Sequence, residues 1–484
     1  MSRLIALFLV NFGLRFPSFL TPFTSDDEAA YAAMAQILLK GGSIYRDAVD
    51  HKPPMTVWLY SGVFSLFGEY NMLAIHVGLI LWVFATAYVL GKIAEHFGGA
   101  NSRWGAMLFY ILFSTTLRDY DALAANNELL MNLPIALGVL LLLRRRFLPS
   151  GILFALAVTI KYQSIFPTLC FVLYSVWRRR WREVCLLTLG GSLVAGLVVG
   201  VSFLQGSWPD LLFWGILYNL NYVGQGLEGM EVVLRFLRRS LETILPAAIV
   251  WLLGFKTIFT KAHPLLVLWF VSSILAMLPG GRFFGHYFLQ PLAPLAVLAA
   301  LAMPRLWEVA NRRRRYLILA SLVIPVALFT TLNFRRTQML RIVGEIEPDY
   351  AAVGQRVGQL TTPDERIFVW MNSPQIYYYA KRTPATRFTF CNYQSGQSPA
   401  TPTEEDMGVD TLRHQSKESW DLLMQDLAEK RPTIFVDATH AHFDDFGKSP
   451  IEKFPRLTAW LSDHYVLQEE VKGVRLFRLK GAEK

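Results

Sequence analysis

The chain has 484 residues, of which 53% are hydrophobic and only 17% charged, well below the roughly 25% charged of ordinary soluble domains. With a mean hydropathy of +0.33 this excludes a soluble globular protein and describes a polytopic membrane protein. The net charge of +10 does not indicate nucleic-acid binding, because the basic residues fall in short clusters between apolar runs, the usual pattern of cytoplasmic loops: Arg144-Arg145-Arg146, Arg178-Arg179-Arg180 with Arg182, and Arg312-Arg313-Arg314-Arg315.

Met1-Ser2-Arg3 and the apolar Leu4 to Val10 resemble a signal sequence, but no small-residue cleavage motif precedes Asp26, so an uncleaved first span is expected. Apolar runs that can span, or nearly so, fall at Leu4 to Leu20, Leu73 to Ala94, Trp104 to Thr116, Leu129 to Leu143, Ser150 to Ile160, Ile165 to Trp177 and Val184 to Leu204. Leu241 to Phe259, Leu265 to Leu278, Phe288 to Met303 and Tyr316 to Leu332 bring the expected number to about eleven. Placing every arginine cluster in the cytoplasm puts the amino terminus inside and the clusters after the fourth, sixth and tenth spans. The loop 21–72 after the first span, the loops 119–128, 205–238 and 280–287, and the carboxyl-terminal region then share the external face.

Two helical stretches are expected to stop short of crossing. Met55 to Phe67, opened by Pro53-Pro54, is shorter than the ~20 residues a span needs, and Glu28 to Lys40 repeats Ala29, Ala33, Ile37 and Leu38 at helical spacing. Both read as interfacial or re-entrant helices. The runs at 150–160 and 165–177 are also short, and a tilted or half-depth hairpin is one reading of them. After Leu332 the composition changes, and Arg366 to Trp370, Pro374 to Ala380, Lys417 to Lys430, Thr433 to Ala438, Pro455 to Tyr465, Val466 to Val471 and Val474 to Leu479 alternate as in a small α/β domain with a closing hairpin. The polar stretch Ser395 to Ser416 reads as a loop. The expected division is a membrane domain at 1–335 and an external α/β domain at 336–484. Cys170, Cys185 and Cys391, odd in number, imply no disulfide framework.

The candidate chemistry is gathered in the external loops. Asp26-Asp27-Glu28 heads a helix: Ser25 or Asp26 as a cap explains one acid but hardly three, and Asp27 is the favoured catalytic carboxylate with Glu28 beside it. In His51-Lys52-Pro53-Pro54 the prolines fix the backbone where the cation is aimed, and a rigidly presented ammonium at headgroup level suits a phosphate; the alternative is a lysine snorkelling to lipid headgroups. Asp119-Tyr120-Asp121 and Asn126-Asn127-Glu128 add acids on the same face, with helix capping as the alternative for Glu128. In Gly280-Gly281-Arg282-Phe283-Phe284-Gly285-His286-Tyr287 the glycines allow close approach and Arg282 presents a fork of donors to phosphate oxygens, against the alternative of an aromatic belt with a solvated arginine. Lys161 is either a second phosphate contact or a snorkelling residue. Asp437-Ala438-Thr439-His440-Ala441-His442-Phe443-Asp444-Asp445 has the residue types of a metal site, but exposed acidic loops are common.

These residues resemble the GT-C glycosyltransferases, in particular the bacterial branch similar to dolichyl-phosphate-mannose protein mannosyltransferases and lipid A aminoarabinose transferases. The resemblance covers about the first 330 residues. It rests on Asp27-Glu28 heading a helix with Tyr31, on His51-Lys52-Pro53-Pro54, on Asn127-Glu128 opening the fourth span, and on Arg282 with His286-Tyr287 followed by Leu289-Gln290-Pro291-Leu292-Ala293-Pro294. It implies a GT-C membrane fold of about eleven transmembrane helices, a polyprenyl-phosphate sugar as donor, a lipid, glycan or protein acceptor, an external active site in a bacterial inner membrane, and inversion at the sugar carbon.

By position the resemblance makes Asp27 the catalytic aspartate, Lys52 the donor-phosphate lysine and Glu128 the second acidic position, with Asp121 nearby. Arg282, His286, Tyr287 and Lys161 fall to the donor phosphate, and His51 and Tyr31 to acceptor or sugar. Asp26, an acid beside the usual pair, is a departure that can shift the base by one residue. A divalent metal ion shared by Asp27 and Glu128 is an alternative, although hard-metal sites usually need more oxygen ligands. The rival readings are a transporter or flippase for lipid-linked sugars, which tends to show internal repeats and midplane charges absent from this sequence, and a non-catalytic binder of such lipids.

Overall fold

The structure, a computed structural model, describes residues 2–117, 120–224, 229–260, 263–342, 349–396, 415–441 and 449–482. The chain opens with α1 (Ser2–Arg15) and one 3₁₀ turn (Phe16–Leu20), then passes through α2 (Asp26–Leu39) and α3 (Met55–Phe67). A run of helices follows: α4 (Met72–Gly98), α5 (Ala100–Phe113), α6 (Asn127–Leu143), α7 (Phe147–Ile160), α8 (Ile165–Trp177) and α9 (Trp181–Leu204). The short α10 (Trp208–Asp210), a π-helical stretch (Leu211–Leu217) and α11 (Tyr218–Gly224) lead to α12 (Met230–Ile244) and α13 (Ala248–Thr260). Next come α14 (Pro264–Leu275), α15 (Leu289–Val309) and α16 (Arg312–Ile342).

Each of the eleven apolar runs is built on helix, with turns at 114–115, 245–247 and 276–277. Among the described residues, five helices are by themselves long and apolar enough to cross a membrane: Ser2–Leu20, Met72–Gly98, Trp181–Leu204, Gly285–Val309 and Arg312–Thr337. The run at Leu241 to Phe259 is not one straight span, because α12 and α13 meet at 101° across the short break between Ile244 and Ala248. At about 1.5 Å per residue the 14 residues of α7 and the 13 of α8 rise only about 20 Å each, as expected of a short pair.

Helices α6, α7, α8 and α15 each have one end at an arginine cluster and the other at a candidate site residue. Glu128 lies in the first turn of α6 and Arg144 caps its end; Lys161 follows α7, which begins after Arg146; α8 runs from beyond Lys161 to Arg178; His286 precedes α15, and Arg312 follows it. Close approach in the bundle uses small residues: a Cβ at Gly190 on α9 would lie 2.4 Å from the Leu148 carbonyl oxygen, and one at Gly151 on α7 would lie 2.2 Å from that of Leu187.

Helix α2 departs from expectation. It is not an interfacial helix with one wet face, since every residue from Glu28 to Ile37 is buried. Alanines at 29, 30, 32, 33 and 35 let α3 and the carboxyl-terminal part of the chain pack closely on it, so its apolar spacing serves protein contacts. Helix α3 buries Thr56, Val57, Tyr60 and Phe64 while leaving Leu66 and Phe67 exposed, which suits a short helix lying against lipid.

Beyond α16 the chain forms α17 (Tyr350–Leu360), β1 (Ile367–Trp370), α18 (Gln375–Ala380), α19 (Asn392–Ser395), α20 (Lys417–Lys430), β2 (Ile434–Asp437), α21 (Pro455–His464), β3 (Tyr465–Val471) and β4 (Val474–Leu479). The sheet order is β1-β2-β4-β3, with β1 parallel to β2 and the other pairs antiparallel. The four residues of β1 and of β2 are all buried, which is why both read as unbroken apolar runs. The chain leaves the carboxyl end of β1 straight into α18, and Cys391 N donates to Asn372 Oδ1 at 3.0 Å, pinning the α19 turn over the same end of the sheet. Gln375 and Tyr393 are thereby presented to loop 21–72.

Candidate active site

Capping separates the acids. Ser25 caps α2, accepting from Glu28 N at 3.3 Å, and Asn126 caps α6, accepting from Leu129 N at 3.1 Å. Asp27 and Glu128 are therefore released from capping. Asp27 Oδ1 lies 2.8 Å from Lys52 Nζ, and the Lys52 ammonium stands 4.9 Å over the ring of Tyr31. Lys52 is aimed by its neighbours: its N–H donates to Asp50 Oδ1 at 3.2 Å and its carbonyl accepts from the Tyr45 hydroxyl at 3.0 Å, just before the two prolines.

A second charged group stands opposite. Lys161 Nζ pairs with Glu128 Oε1, His286 Nε2 lies 3.7 Å from the same oxygen, and Lys161 stands 4.2 Å over the Tyr287 ring. The two groups share one electrostatic field: Asp27 senses His286 and His51, Lys161 senses Lys52 and Asp27, and His51 senses Arg282 and Lys161. Residues from loop 21–72, the start of α6, the α7–α8 turn and the loop before α15 thus converge. Arg282 itself is buried, in a turn where Gly280, Gly281 and Phe283 all have positive φ. For Phe283, at +43°, that conformation is strained.

The fields set protonation. Burial raises the Asp27 carboxyl, but Lys52, then His286 and His51, outweigh it and hold the group below its ordinary value. Burial lowers the Lys52 ammonium, yet Asp27, Tyr31 and Asp50 keep it well above its ordinary value. Burial, with Lys52 and Arg282 adding to it, drives the His51 imidazole down to about 3, so it is neutral at pH 7. The open pair Asp27–Lys52, whose side chains keep 39% and 23% of their surfaces exposed, is the accessible part of the cluster.

Several sequence expectations are corrected by this geometry. Glu28 is completely buried and fully engaged, accepting from Thr24 N at 2.8 Å, Thr24 Oγ1 at 3.1 Å and Ala125 N at 2.8 Å, with His76 Nε2 at 3.3 Å. It clamps α2 to α4 and to the segment before α6 and does not face Lys52. Tyr31 is also buried, a floor beneath the ammonium and not an exposed contact for sugar or acceptor. Lys161 is spent on Glu128, so any contact with phosphate must share it. The side chain of Asp121 and all of Asp119 lie outside the described residues, as do His442, Asp444 and Asp445. Asp437 is buried and accepts from Thr439 N at 3.0 Å and Arg475 Nε at 2.8 Å, an internal ion pair and no open ligand. Among the described residues no group of three or more His, Cys, Asp or Glu side chains can hold a metal ion, and Asp27 and Glu128 are each matched to a lysine.

Other participants carry little sequence signal. Asp50 Oδ1 lies 3.4 Å from His51 Nδ1, and Asn219, just after the π-helical stretch, donates to the His51 carbonyl at 2.6 Å. The His51 Nδ1 also meets the Tyr393 hydroxyl at 3.3 Å, and Gln375 Nε2 donates to Asp26 Oδ1 at 2.6 Å. Asp26, the extra acid, is thus occupied by the carboxyl-terminal region. Asp50, adjoining His51-Lys52-Pro53-Pro54, was the one readable signal; nothing in the sequence marks Tyr393, Gln375 or Asn219.

The family model for dolichyl-phosphate-mannose-protein mannosyltransferase matches residues 51–204. Among solved structures, ArnT from Cupriavidus metallidurans bound to undecaprenyl phosphate is similar over 98% of this chain and 97% of that one, with a TM-score of 0.67 and 15% identity. The Archaeoglobus fulgidus oligosaccharyltransferase tethered with an acceptor peptide is similar over 99% of this chain and 74% of that one, with a TM-score of 0.53 and 12% identity. No curated protein matches by sequence. The chain therefore has the GT-C fold, and it resembles the protein mannosyltransferase and ArnT branch of that superfamily.

Proposed function

We propose that the chain is an integral membrane glycosyltransferase that moves a sugar from a polyprenyl-phosphate donor to an acceptor hydroxyl, with inversion, on the external face of a bacterial inner membrane. The observation that carries this reading is the accessible Asp27–Lys52 pair beside the Glu128–Lys161–His286 group. The fold shared with an undecaprenyl-phosphate-bound ArnT supports the donor class. The arginine clusters at the opposite ends of α6, α7, α8 and α15 support the orientation by the positive-inside rule.

The chemistry follows from how the pair is shared. Lys52 keeps Asp27 ionised but weakly basic. A donor phosphate arriving at Lys52 takes over that cation, and Asp27 becomes a stronger base just as substrate binds. The acceptor oxygen attacks the anomeric carbon opposite the phosphate, its proton passes to Asp27, and the carbon–oxygen bond to phosphate breaks with its electron pair leaving on the phosphate. Lys52 and Arg282 then face the growing negative charge, and a donor so aimed is typically worth ~3 to 4 kcal/mol. An isoprenoid tail, anchored by ~0.8 kcal/mol per buried methylene, keeps the reacting carbon at the level where these residues sit. His51, neutral and held by Asn219 and Tyr393, is placed to orient the acceptor or sugar by hydrogen bonding.

The test is transfer from radiolabelled polyprenyl-phosphate sugars to membrane extract by the purified protein and by Asp27→Asn. Transfer by the wild type alone is expected. Absence of transfer in both across several donors, with donor binding retained, would favour a non-catalytic binder.

A further inference from the structure

Helix α12 has no buried residue. Met230, Val233, Leu234, Leu237 and Leu241 follow one another at helical spacing, and they are 47% to 69% exposed. This apolar stripe points away from the protein. Beyond the 101° bend it runs on into the outward residues of α13, Leu252, Phe255 and Phe259, which are also exposed. Helix α13 packs along α15 within the bundle, so α12, bent 101° from α13, runs across that pair and not along it. About a third of a turn around from the stripe is a charged flank with three arginines, Arg235, Arg238 and Arg239, against Glu231 and Glu242. Arg238 and Arg239 share one carboxylate, Glu242, at 3.1 and 3.0 Å, while Arg235 lies within the field of Glu231 as well as of Arg239, Arg282 and Arg238. The flank therefore carries surplus positive charge, complementary to phosphodiester headgroups.

The helix also touches the site. Phe236 packs on Phe283 with ring centroids 4.9 Å apart, and the Arg235 guanidinium stands 5.6 Å over the Phe284 ring. These two phenylalanines sit between Arg282 and His286, and Phe283 is the residue held at positive φ. A strained residue keeps its conformation only while its neighbours hold it.

We propose that α12 is a membrane-surface helix that binds anionic phospholipid headgroups through its arginine flank, and that this docking holds the Arg282–His286 loop in its working conformation. The occupant is the lipid surface itself: the apolar stripe continues a lipid-facing surface and the flank has the matching charge. The lipid-binding part stands independently of the proposed transfer reaction, because it is read without turnover.

The experiment uses the full chain in vesicles of phosphatidylcholine alone or mixed with phosphatidylglycerol. A fluorophore on Leu237→Cys should be quenched by lipids brominated in their acyl chains, and one on Arg238→Cys much less. Wild type should enrich phosphatidylglycerol in its lipid shell, the double variant R238Q/R239Q should lose that preference at least about fivefold, and R238K/R239K should keep most of it. Melting temperatures in detergent identify any variant that simply misfolds, and the two labelled single variants remain readable in that case. The proposal is overturned if Leu237 escapes the brominated lipids, or if the double glutamine variant keeps the wild-type lipid preference. A retained lipid preference with transfer rates independent of phosphatidylglycerol would overturn the link to the loop.

Discussion

His51 Nδ1 lies 3.3 Å from the hydroxyl of Tyr393, a residue 342 positions further along the chain. Through this contact the carboxyl-terminal region touches a residue adjoining Lys52. Tyr393→Phe removes the hydroxyl while leaving the rings of Trp214, Tyr218 and Phe388 packed around it. Losing one neutral hydrogen bond of about 1 kcal/mol should raise the acceptor KM about fivefold and leave the donor KM unchanged. Steady-state transfer kinetics with each substrate varied in turn check this.

Asp27→Asn should lower kcat by about 10² to 10⁴ without loss of fold, because the side chain is partly exposed and its removal leaves Lys52 open to water. Lys52→Ala should act on the donor more strongly than on the acceptor. Equal effects on the two KM values would remove Lys52 from the phosphate.

Glu28→Ala should behave differently from its neighbour. It leaves the amides of Thr24 and Ala125 buried without their acceptor, at ~1 to 3 kcal/mol for each group. A large drop in melting temperature in detergent is expected, where Asp27→Asn shows little change.

Gly190→Ala should loosen the α7–α9 contact, since the added carbon would meet backbone at 2.4 Å with no flexible side chain to give way. Overpacking of this kind costs about 1 to 3 kcal/mol, and thermal unfolding in detergent reads it. Gly191→Ala, whose added carbon meets nothing within 4 Å, is the matched control.

The pH dependence follows from His51. Its folded value of about 3 lies below the ~6.5 of an unfolded histidine, so the unfolded chain takes up a proton that the folded chain refuses. This contribution to stability is present above pH ~6.5 and is lost as the pH falls toward 3, at up to ~1.4 kcal/mol per pH unit. Melting temperatures between pH 7 and 5 should fall more steeply for the wild type than for His51→Asn, and equal slopes would count against a neutral buried imidazole.

The apolar runs, the arginine clusters and the closing hairpin across Lys472-Gly473 were legible because hydrophobic length, charge placement and turn chemistry are local properties. Asp27 and Lys52 were each legible as charges kept at a membrane boundary, but their pairing with one another was not. What local pattern cannot show is which of two adjacent acids turns inward. Asp27 and Glu28 differ by one helical position, and Glu28 is drawn to His76 and the Ala125 amide, partners set only by tertiary packing. The burial of α2 was hidden for the same reason, since its alanines suit a protein neighbour as well as a lipid one. The bend after Ile244 was masked by an apolar run that continues through it.

The contact from Gln375 to Asp26 and the backbone bond from Val49 N to Arg387 O, 2.8 Å long, fasten loop 21–72 to the region that follows the last membrane helix. A nascent chain that has completed every membrane helix still lacks these fastenings. Insertion of the membrane helices and fastening of loop 21–72 are therefore separable, and a chain cut before Gln375 keeps the helices but leaves that loop untied.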